Sequence, residues 1–345
     1  MDQGDKIKQK KPLKRVPVQL TSVGFSARVA GFPIASMYED PEKSFWAHMW
    51  TQEMYGCEGS PFFMNSVSAT WDFGGEIKFP TSEWGQAPLP VRYPVQTEDD
   101  VEKLELPDVR KARYNQLAME FSRLCEQHHI PITICMTSPF TSAGNVCGLE
   151  KLCRWMIKKP DVAHRILRIV TDHIMQTIEH WVETFGAKRV TPMIGAPSDS
   201  NQVISPKQFK EYGFPYLKEL SEKTLALGVR RILCHICGDQ NLNLPYFAQI
   251  PMGKFPIVTF GHEVDLTTAI EHFGDRCIIG GNIEPQLIQN GTPQEVYETA
   301  RQCIEKGKHA PLGYILMPGC ELPPMAPPYN VYMLKKAAED FGYYD

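Results

Sequence analysis

The sequence predicts an α/β protein built as a (β/α)8 barrel, with an aromatic-rich extension on its N-terminal side. Three observations favour this fold. From about Asp108 onward, segments with helical periodicity alternate with short β-branched runs, and such alternation produces parallel strands. The chain has 345 residues, a length that one barrel can occupy. It also lacks the phosphate-binding patterns GxGxxG and GxxxxGK[ST], which argues against an open nucleotide-binding sheet.

The region before the barrel core divides into two predicted parts. Residues 1–15 carry five lysines and Arg15, which predicts a flexible basic tail, with a polybasic contact patch as the alternative. Residues 16–107 are rich in aromatic residues, Gly and Pro. They predict a cap or pocket segment, made mostly of short extended pieces and loops. A helical spacing appears briefly at Phe45, Met49 and Met54.

Residues 108–345 predict the barrel core. Thr292 and Glu295 predict a capping box ahead of a helix over 293–308. Ser205 predicts the N-cap of a helix that Pro206 opens. Further helices are predicted over 110–128, 160–185 and 330–341, and strands over 131–136, 189–194, 231–236, 256–260, 277–280 and 314–317.

The composition excludes several classes of protein. The 36 basic and 40 acidic residues give a net charge of −4, which excludes a strongly cationic nucleic-acid binder. No run reaches the roughly 18 apolar residues of a membrane helix, so no membrane association is expected. The chain begins Met-Asp-Gln without an apolar signal, which predicts a cytoplasmic protein. Its ten cysteines are then expected to be thiols, core residues or metal ligands.

Three residues at predicted strand ends suggest a metal site. His235 and Cys237 are two apart in a strand, so both side chains point to the same side, and Gly238 follows them. Cys320 comes directly after another strand, and strand ends converge at the mouth of a barrel. Two thiolates and an imidazole suit Zn²⁺ and leave one coordination position for a substrate. The alternative is that these residues are buried for packing alone.

Other polar residues follow predicted strands on the same face. Asp199, Asn201, Glu263 and Asn282 are candidates for binding substrate. For Asp199 and Asn201 an Asx turn before the next helix is the alternative. Glu321 follows Cys320 and is a candidate further zinc ligand, or else a carboxylate at the rim.

Several motifs of the core carry a resemblance to a known family. They read His-Ile-Cys-Gly-Asp at 235–239, Val-Asp-Leu at 264–266, Gly-Asn-Ile-Glu-Pro at 281–285, Gly-Thr-Pro-Gln-Glu-Val at 291–296, Pro-Gly-Cys-Glu at 318–321 and Pro-Pro-Tyr-Asn at 327–330. Together they are similar to the uroporphyrinogen decarboxylase superfamily, and more narrowly to its corrinoid-dependent zinc methyltransferases. That branch includes O-demethylase methyltransferases and methylcobamide:coenzyme M methyltransferases. The resemblance implies a (β/α)8 barrel and zinc at His235, Cys237 and Cys320.

The resemblance also implies a function and partners. We expect methyl transfer from a methoxylated, aromatic compound to the cobalt of a corrinoid (cobalamin) held by a partner protein. The alternative is transfer from a methylated corrinoid protein to a thiol of the coenzyme M type. Decarboxylation of uroporphyrinogen is less favoured, because residues 22–32 hold one arginine, Arg28, where carboxylates would need several. A non-catalytic corrinoid-binding scaffold stays open, as does a homodimer.

Overall fold

The computed structural model describes residues 14–344. Most of the predicted basic tail lies outside the described residues. Arg15, at the end of this tail, forms an ion pair with Glu58, with 3.2 Å between the guanidinium nitrogen and the carboxylate oxygen. The backbone of Arg15 also forms an antiparallel bridge with Tyr343. The described chain therefore begins in contact with its own C-terminal segment.

The N-terminal half is more helical than the sequence analysis predicted. The expectation of mostly extended pieces and loops is wrong here, because helices cover much of residues 23–72. One of them begins where the Asp40 carboxylate accepts from the Lys43 N–H at 3.0 Å, with Pro41 in the first turn. The elements are α1 (Val23–Ala30), α2 (Ser36–Glu39), α3 (Pro41–Tyr55), α4 (Ser68–Asp72), the hairpin strands β1 (Glu76–Lys78) and β2 (Leu89–Arg92), and α5 (Glu98–Lys103).

A parallel sheet of six strands forms the centre of the protein, with the strands adjacent in chain order. All six coincide with a predicted strand, although β7 continues to Ile283, beyond its predicted end at Gly280. Parallel strands joined in sequence by helices are the wall of a β/α barrel, which confirms the predicted fold class. The strands are β3 (Ile132–Thr137), β4 (Val190–Gly195), β5 (Leu233–Ile236), β6 (Ile257–Phe260), β7 (Ile278–Ile283) and β8 (Tyr314–Pro318).

Helices surround the sheet as predicted. The longest, α9, spans residues 160–185, and the capping box of Thr292 and Glu295 begins α15. The helices are α6 (Arg113–Gln127), α7 (Pro139–Cys147), α8 (Leu149–Lys158), α9 (Pro160–Phe185), α10 (Pro206–Gln208) with a π-helical turn (Phe209–Gly213), α11 (Phe214–Ala226), α12 (Leu244–Phe247), α13 (Leu266–Phe273), α14 (Pro285–Asn290), α15 (Pro293–Gly307) and α16 (Pro328–Phe341).

Two short pieces of the N-terminal half extend the sheet at its edges. Val18 forms a parallel bridge with Leu316 of β8, and Phe63 forms one with Ile134 of β3. The two pieces are tied together, since the N–H of Glu58 donates to the carbonyl of Val18 at 2.8 Å. The N-terminal half therefore covers both edges of the six-stranded sheet. The division of the chain at residue 108 into cap and core stays a prediction.

The interior of the barrel combines an apolar cluster of strand residues that includes Ile257 and Met317 with several threonines. Thr133, Thr191 and Thr259 face inward from β3, β4 and β6 and line a cavity of about 90 Å³. The barrel's outer side packs into one hydrophobic cluster that joins Phe63 of the predicted cap segment and Phe121 of the predicted core. Among residues 14–344, no helix is long and apolar enough to cross a membrane.

Candidate metal centre

Strand β5 presents two potential metal ligands at the mouth of the barrel. Along β5 buried and half-buried residues alternate, and Ile236 is fully buried against the surrounding helices. His235 and Cys237 therefore share the opposite side, facing the barrel interior. This is the arrangement that the spacing of the two residues predicts.

The loop after β8 brings a third ligand to the same place. The donor atoms of His235, Cys237 and Cys320 all lie within 4.8 Å of one another. Cys320 is 83 residues from Cys237 along the chain, so the arrangement of the strands in the sheet, and not local sequence, places it there. Within the described residues these three form the group of His, Cys, Asp or Glu side chains that could hold a metal ion.

Glycines allow the three loops to approach closely. A methyl group on Gly319 would lie 2.9 Å from the N–H nitrogen of His262 and 3.3 Å from Gly261, both backbone positions that cannot rotate away. Gly238, directly after Cys237, has φ of 77°, a conformation that favours glycine. The exits of β5, β6 and β8 therefore pack backbone against backbone, and this fixes where Cys320 sits relative to Cys237.

The ring of His235 is oriented for binding through one nitrogen. Its Nδ1 lies 2.7 Å from the hydroxyl of Thr259 on the neighbouring strand. Its Nε2 is buried and has no hydrogen-bond partner. An unpartnered buried imidazole nitrogen beside two thiols fits a metal ion, and the set of one nitrogen and two sulfurs is typical of zinc. The residues present therefore fit the predicted zinc.

The two thiols differ in their electrostatic state. The neighbouring Cys237 thiol and the nearby His235 ring hold the pKa of the Cys320 thiol well below its ordinary value, against the effect of burial. The same interaction with Cys320, together with burial, raises the pKa of Cys237 well above its ordinary value. The two sulfurs together therefore carry one negative charge and share one proton. This is the state expected of a pair of thiols that releases protons when a metal binds.

Two carboxylates, those of Glu263 and Glu321, lie near the thiols, and they make different contacts. Glu263 contributes to the raised pKa of Cys237, and its buried Oε2 has no hydrogen-bond partner but lies 3.4 Å from Nδ1 of His262. Glu321 is turned toward α1, where its Oε1 accepts from the Gly24 N–H at 3.4 Å. Burial, aided by Cys320, raises the pKa of Glu321 to about 8. Glu263 thus faces His262, Glu321 faces α1, and the role of Glu321 as a further ligand stays a prediction.

Asn282 and Asn201 connect loops of the mouth. The amide of Asn282 lies within β7 and donates to the carbonyls of Gly261 at 3.0 Å and Val264 at 2.6 Å. The Oδ1 of Asn201 accepts from the Leu242 N–H at 3.0 Å, joining the loops after β4 and β5. Both side chains hold the backbone around the metal centre. Their predicted contact with substrate remains untested.

Asp199 is fully buried beside the start of α7. Its Oδ2 accepts from the Ser138 hydroxyl at 2.5 Å and lies 3.4 Å from the Thr141 hydroxyl. Its Oδ1 is buried without a partner, next to the π-helical turn. Burial raises the pKa of Asp199 to about 6 despite these hydrogen bonds. The residue lies on the predicted loop, and its predicted role in binding substrate stays a prediction.

The raised pKa of Asp199 predicts an unusual pH dependence of stability. Folding favours the protonated carboxyl, so its stabilisation is present at low pH and is lost as the pH rises through about 6. Asn cannot ionise and has a similar shape. From pH 4.5 to 7.5, the free energy of unfolding of wild type should therefore fall by about 2 kcal/mol relative to Asp199→Asn. Urea unfolding at both pH values measures this; a pH-independent difference would contradict it.

Sequence reasoning missed several residues that shape the centre. Thr259 lies within a strand of apolar appearance, and its neighbour across the ladder, His235, is 24 residues away. Gly261 and Gly319 approach each other because the loops after β6 and β8 meet at the mouth, although β7 separates the two strands in the sheet. Alternate residues of a strand in a barrel face inward. This rule, applied to β6, could have indicated that Thr259 is a neighbour of His235.

Comparison with known proteins identifies a family. The uroporphyrinogen decarboxylase (URO-D) family matches residues 6–341 of the chain. A methylated-thiol–coenzyme M methyltransferase of Methanosarcina mazei is 31% identical over 52% of this chain and 46% of that relative, about half of its length. A methylcobamide:CoM methyltransferase of Methanosarcina acetivorans is 25% identical over 79% of this chain and 76% of its own.

Other matches include a decarboxylase and a solved methyltransferase structure. A uroporphyrinogen decarboxylase of Danio rerio is 23% identical over 71% of this chain and 68% of its own. Among solved structures, a methyltransferase from Methanosarcina mazei superposes with a TM-score of 0.80 at 22% identity, covering 97% of this chain and 96% of that one. At that identity the superposition supports the fold.

Proposed function

The chain belongs to the uroporphyrinogen decarboxylase family, and from this premise we propose that it is a zinc-dependent methyltransferase working with a corrinoid. In this proposal it moves a methyl group from a methylated corrinoid, carried by a partner protein, to a thiol. The observation that carries the proposal is the convergence of His235, Cys237 and Cys320 donor atoms within 4.8 Å at the barrel mouth. Two relatives whose names specify methyl transfer to coenzyme M support it.

The residues of the centre suit this chemistry. Cys237 and Cys320 supply soft anionic sulfurs, and His235 supplies Nε2, so three protein ligands would leave one position for the substrate. Zinc bound there acts as a Lewis acid that lowers the pKa of a thiol. The half-buried site limits access of water to that thiol. The thiol would release its proton to solvent, and the sulfur would then attack the methyl carbon of the methylated corrinoid. The carbon–cobalt bond would break with its electron pair left on cobalt, giving a thioether and Co(I).

The comparisons reverse the order of the two sequence-based hypotheses. The sequence analysis placed demethylation of a methoxylated compound first and transfer to a thiol second. The methyltransferase relatives named above act on coenzyme M, by their names. We therefore place the thiol acceptor first, and demethylation becomes the alternative outcome of the experiment below.

Decarboxylation has less support in the structure. A porphyrinogen with many carboxylates needs several cationic partners. Arg28, the one arginine of residues 22–32, donates instead to the backbone carbonyl of Pro324 at 2.6 Å. Decarboxylation would also leave the paired thiols of Cys237 and Cys320 without a function. The cytoplasmic location, the corrinoid partner and the homodimer all remain proposals.

Methyl transfer from free methylcobalamin tests the proposed function. The purified zinc-loaded protein is incubated with methylcobalamin and a panel of thiols that includes coenzyme M, and thioether is measured by mass spectrometry. We expect thioether that depends on protein and zinc. In parallel, Co(I) cobalamin is offered methoxybenzoates. Turnover only in that second reaction would establish demethylation instead, and turnover in neither, with carboxylate loss from uroporphyrinogen, would overturn the proposal.

A further inference from the structure

Thr259 is a side chain on the neighbouring strand that contacts the candidate ligand His235. The two residues are paired across the ladder of β5 and β6, so both side chains emerge side by side into the barrel. The hydroxyl of Thr259 lies 2.7 Å from Nδ1 of His235. Thr259 is itself 9% exposed, so this hydrogen bond is shielded from bulk water. A shielded bond of this length fixes both the rotation and the tilt of the imidazole ring.

The hydrogen bond also determines which nitrogen is available. Neutral imidazole carries its proton on one nitrogen and a lone pair on the other. Nε2 faces the thiols and has no hydrogen-bond partner. For Nε2 to bind a metal, Nδ1 must keep the proton and donate it, which requires an acceptor at the position of the Thr259 hydroxyl.

The hydroxyl of Thr259 can accept this hydrogen bond because its own hydrogen can be donated to another acceptor. Thr259 lines a cavity of about 90 Å³ beneath His235, together with Thr133, Thr191 and Gln52, whose side chains are polar within a lining of mixed character. A cavity of this volume with polar groups in its lining accommodates water molecules. Its lining offers acceptors to the hydroxyl hydrogen, directly or through water, while the oxygen lone pair faces Nδ1.

We infer that Thr259 is a positioning residue for the metal centre: it selects the tautomer of His235 that presents Nε2 to the ion, and it holds the ring toward the two cysteines. The inference rests on the proposed function in that it takes the ion to be zinc. The outer hydrogen-bond partner of a metal-bound histidine is commonly a carboxylate or a backbone carbonyl. Here it is a neutral hydroxyl that opens onto the barrel interior.

Conservative substitutions test the inference by metal affinity and not by activity. Thr259→Val keeps the shape and removes the hydroxyl, and we expect zinc affinity, measured by competition with a chelator, to fall about 10- to 100-fold. Thr259→Ser restores the hydroxyl and should bind zinc within about threefold of wild type. The absorption bands of the cobalt-substituted protein should shift in the Val variant and stay unchanged in the Ser variant, a signature that a packing defect alone would not give.

Thr191→Val is the matched control. Thr191 lines the same cavity, and it lies on β4 four residues before Gly195, the register partner of His235, or about 13 Å along the strand. It should keep wild-type zinc affinity. Equal affinity in Thr259→Val and wild type would overturn the inference while leaving the zinc site intact. Wild-type protein that binds no zinc would instead overturn the proposed function.

Discussion

Replacing Cys320 with alanine is expected to abolish tight zinc binding and methyl transfer together. Cys320 supplies one of three converging donor atoms, and its pKa is lowered so that it already favours the thiolate that a metal binds. Losing one of three protein ligands should weaken zinc binding by on the order of 10³-fold or more. Zinc per chain after dialysis against a chelator, and thioether formed from methylcobalamin, measure the two effects.

A cysteine outside the centre provides the control for this variant. Cys153 on α8 is half-buried like Cys320, and its substitution removes the same thiol from a helix on the outside of the barrel. Cys153→Ala should keep the wild-type zinc content and turnover. Should Cys320→Ala keep both as well, Cys320 would not be a ligand and the metal centre described above would be wrong.

Adding a single methyl group at Gly319 is expected to disrupt the centre without removing any ligand. The new Cβ would lie 2.9 Å from the His262 nitrogen and 3.3 Å from Gly261, so the loop that carries Cys320 must shift. We expect Gly319→Ala to lower zinc affinity about 10- to 100-fold, comparable to the loss of an outer partner. The free energy of unfolding should fall by about 1–3 kcal/mol, as in other overpacked sites.

Gly195 at the end of β4 offers a matched substitution at the same mouth. A Cβ on Gly195 would meet its nearest heavy atom, the Met136 carbonyl oxygen, at 4.0 Å, which is ordinary contact. Gly195→Ala should therefore retain wild-type zinc affinity and stability, as measured by chelator competition and urea unfolding. Equal zinc affinities for Gly319→Ala and Gly195→Ala would show that the close backbone packing does not position Cys320.

Much of the fold was predictable because the barrel core follows local rules. Each of β3 to β8 is a short run of mostly apolar residues, and helices such as α15 begin at capping boxes that are visible in the sequence. The edge pieces at Val18 and Phe63 were not predictable. Each contributes one bridge to the sheet, so neither needs a run of strand-forming residues.

The metal centre was partly predictable for a geometric reason. His235, Cys237 and Cys320 each stand at a strand end, and strand ends of a barrel share one mouth. The contacts around them depend on register between strands. The local sequence does not indicate that Thr259 pairs with His235. It also does not indicate that Gly319 approaches Gly261.

The direction of methyl transfer could not be derived from residues in the same way. The aromatic side chains of the N-terminal half suggested an aromatic methyl donor. In the structure many of them are core residues, among them Phe25, Phe45 and Phe63, each at most 2% exposed. Aromatic content in this region therefore reflects packing of the N-terminal helices on the barrel, and it carries little information about the substrate.

X-ray absorption at the zinc edge, with and without added thiol, tests the central claim most directly. The account predicts one zinc per chain, with two sulfur neighbours from Cys237 and Cys320 and one nitrogen from His235, and a third sulfur when coenzyme M or another accepted thiol is added. A zinc shell that stays the same on addition of every thiol tested, or a protein that binds no zinc, would contradict it.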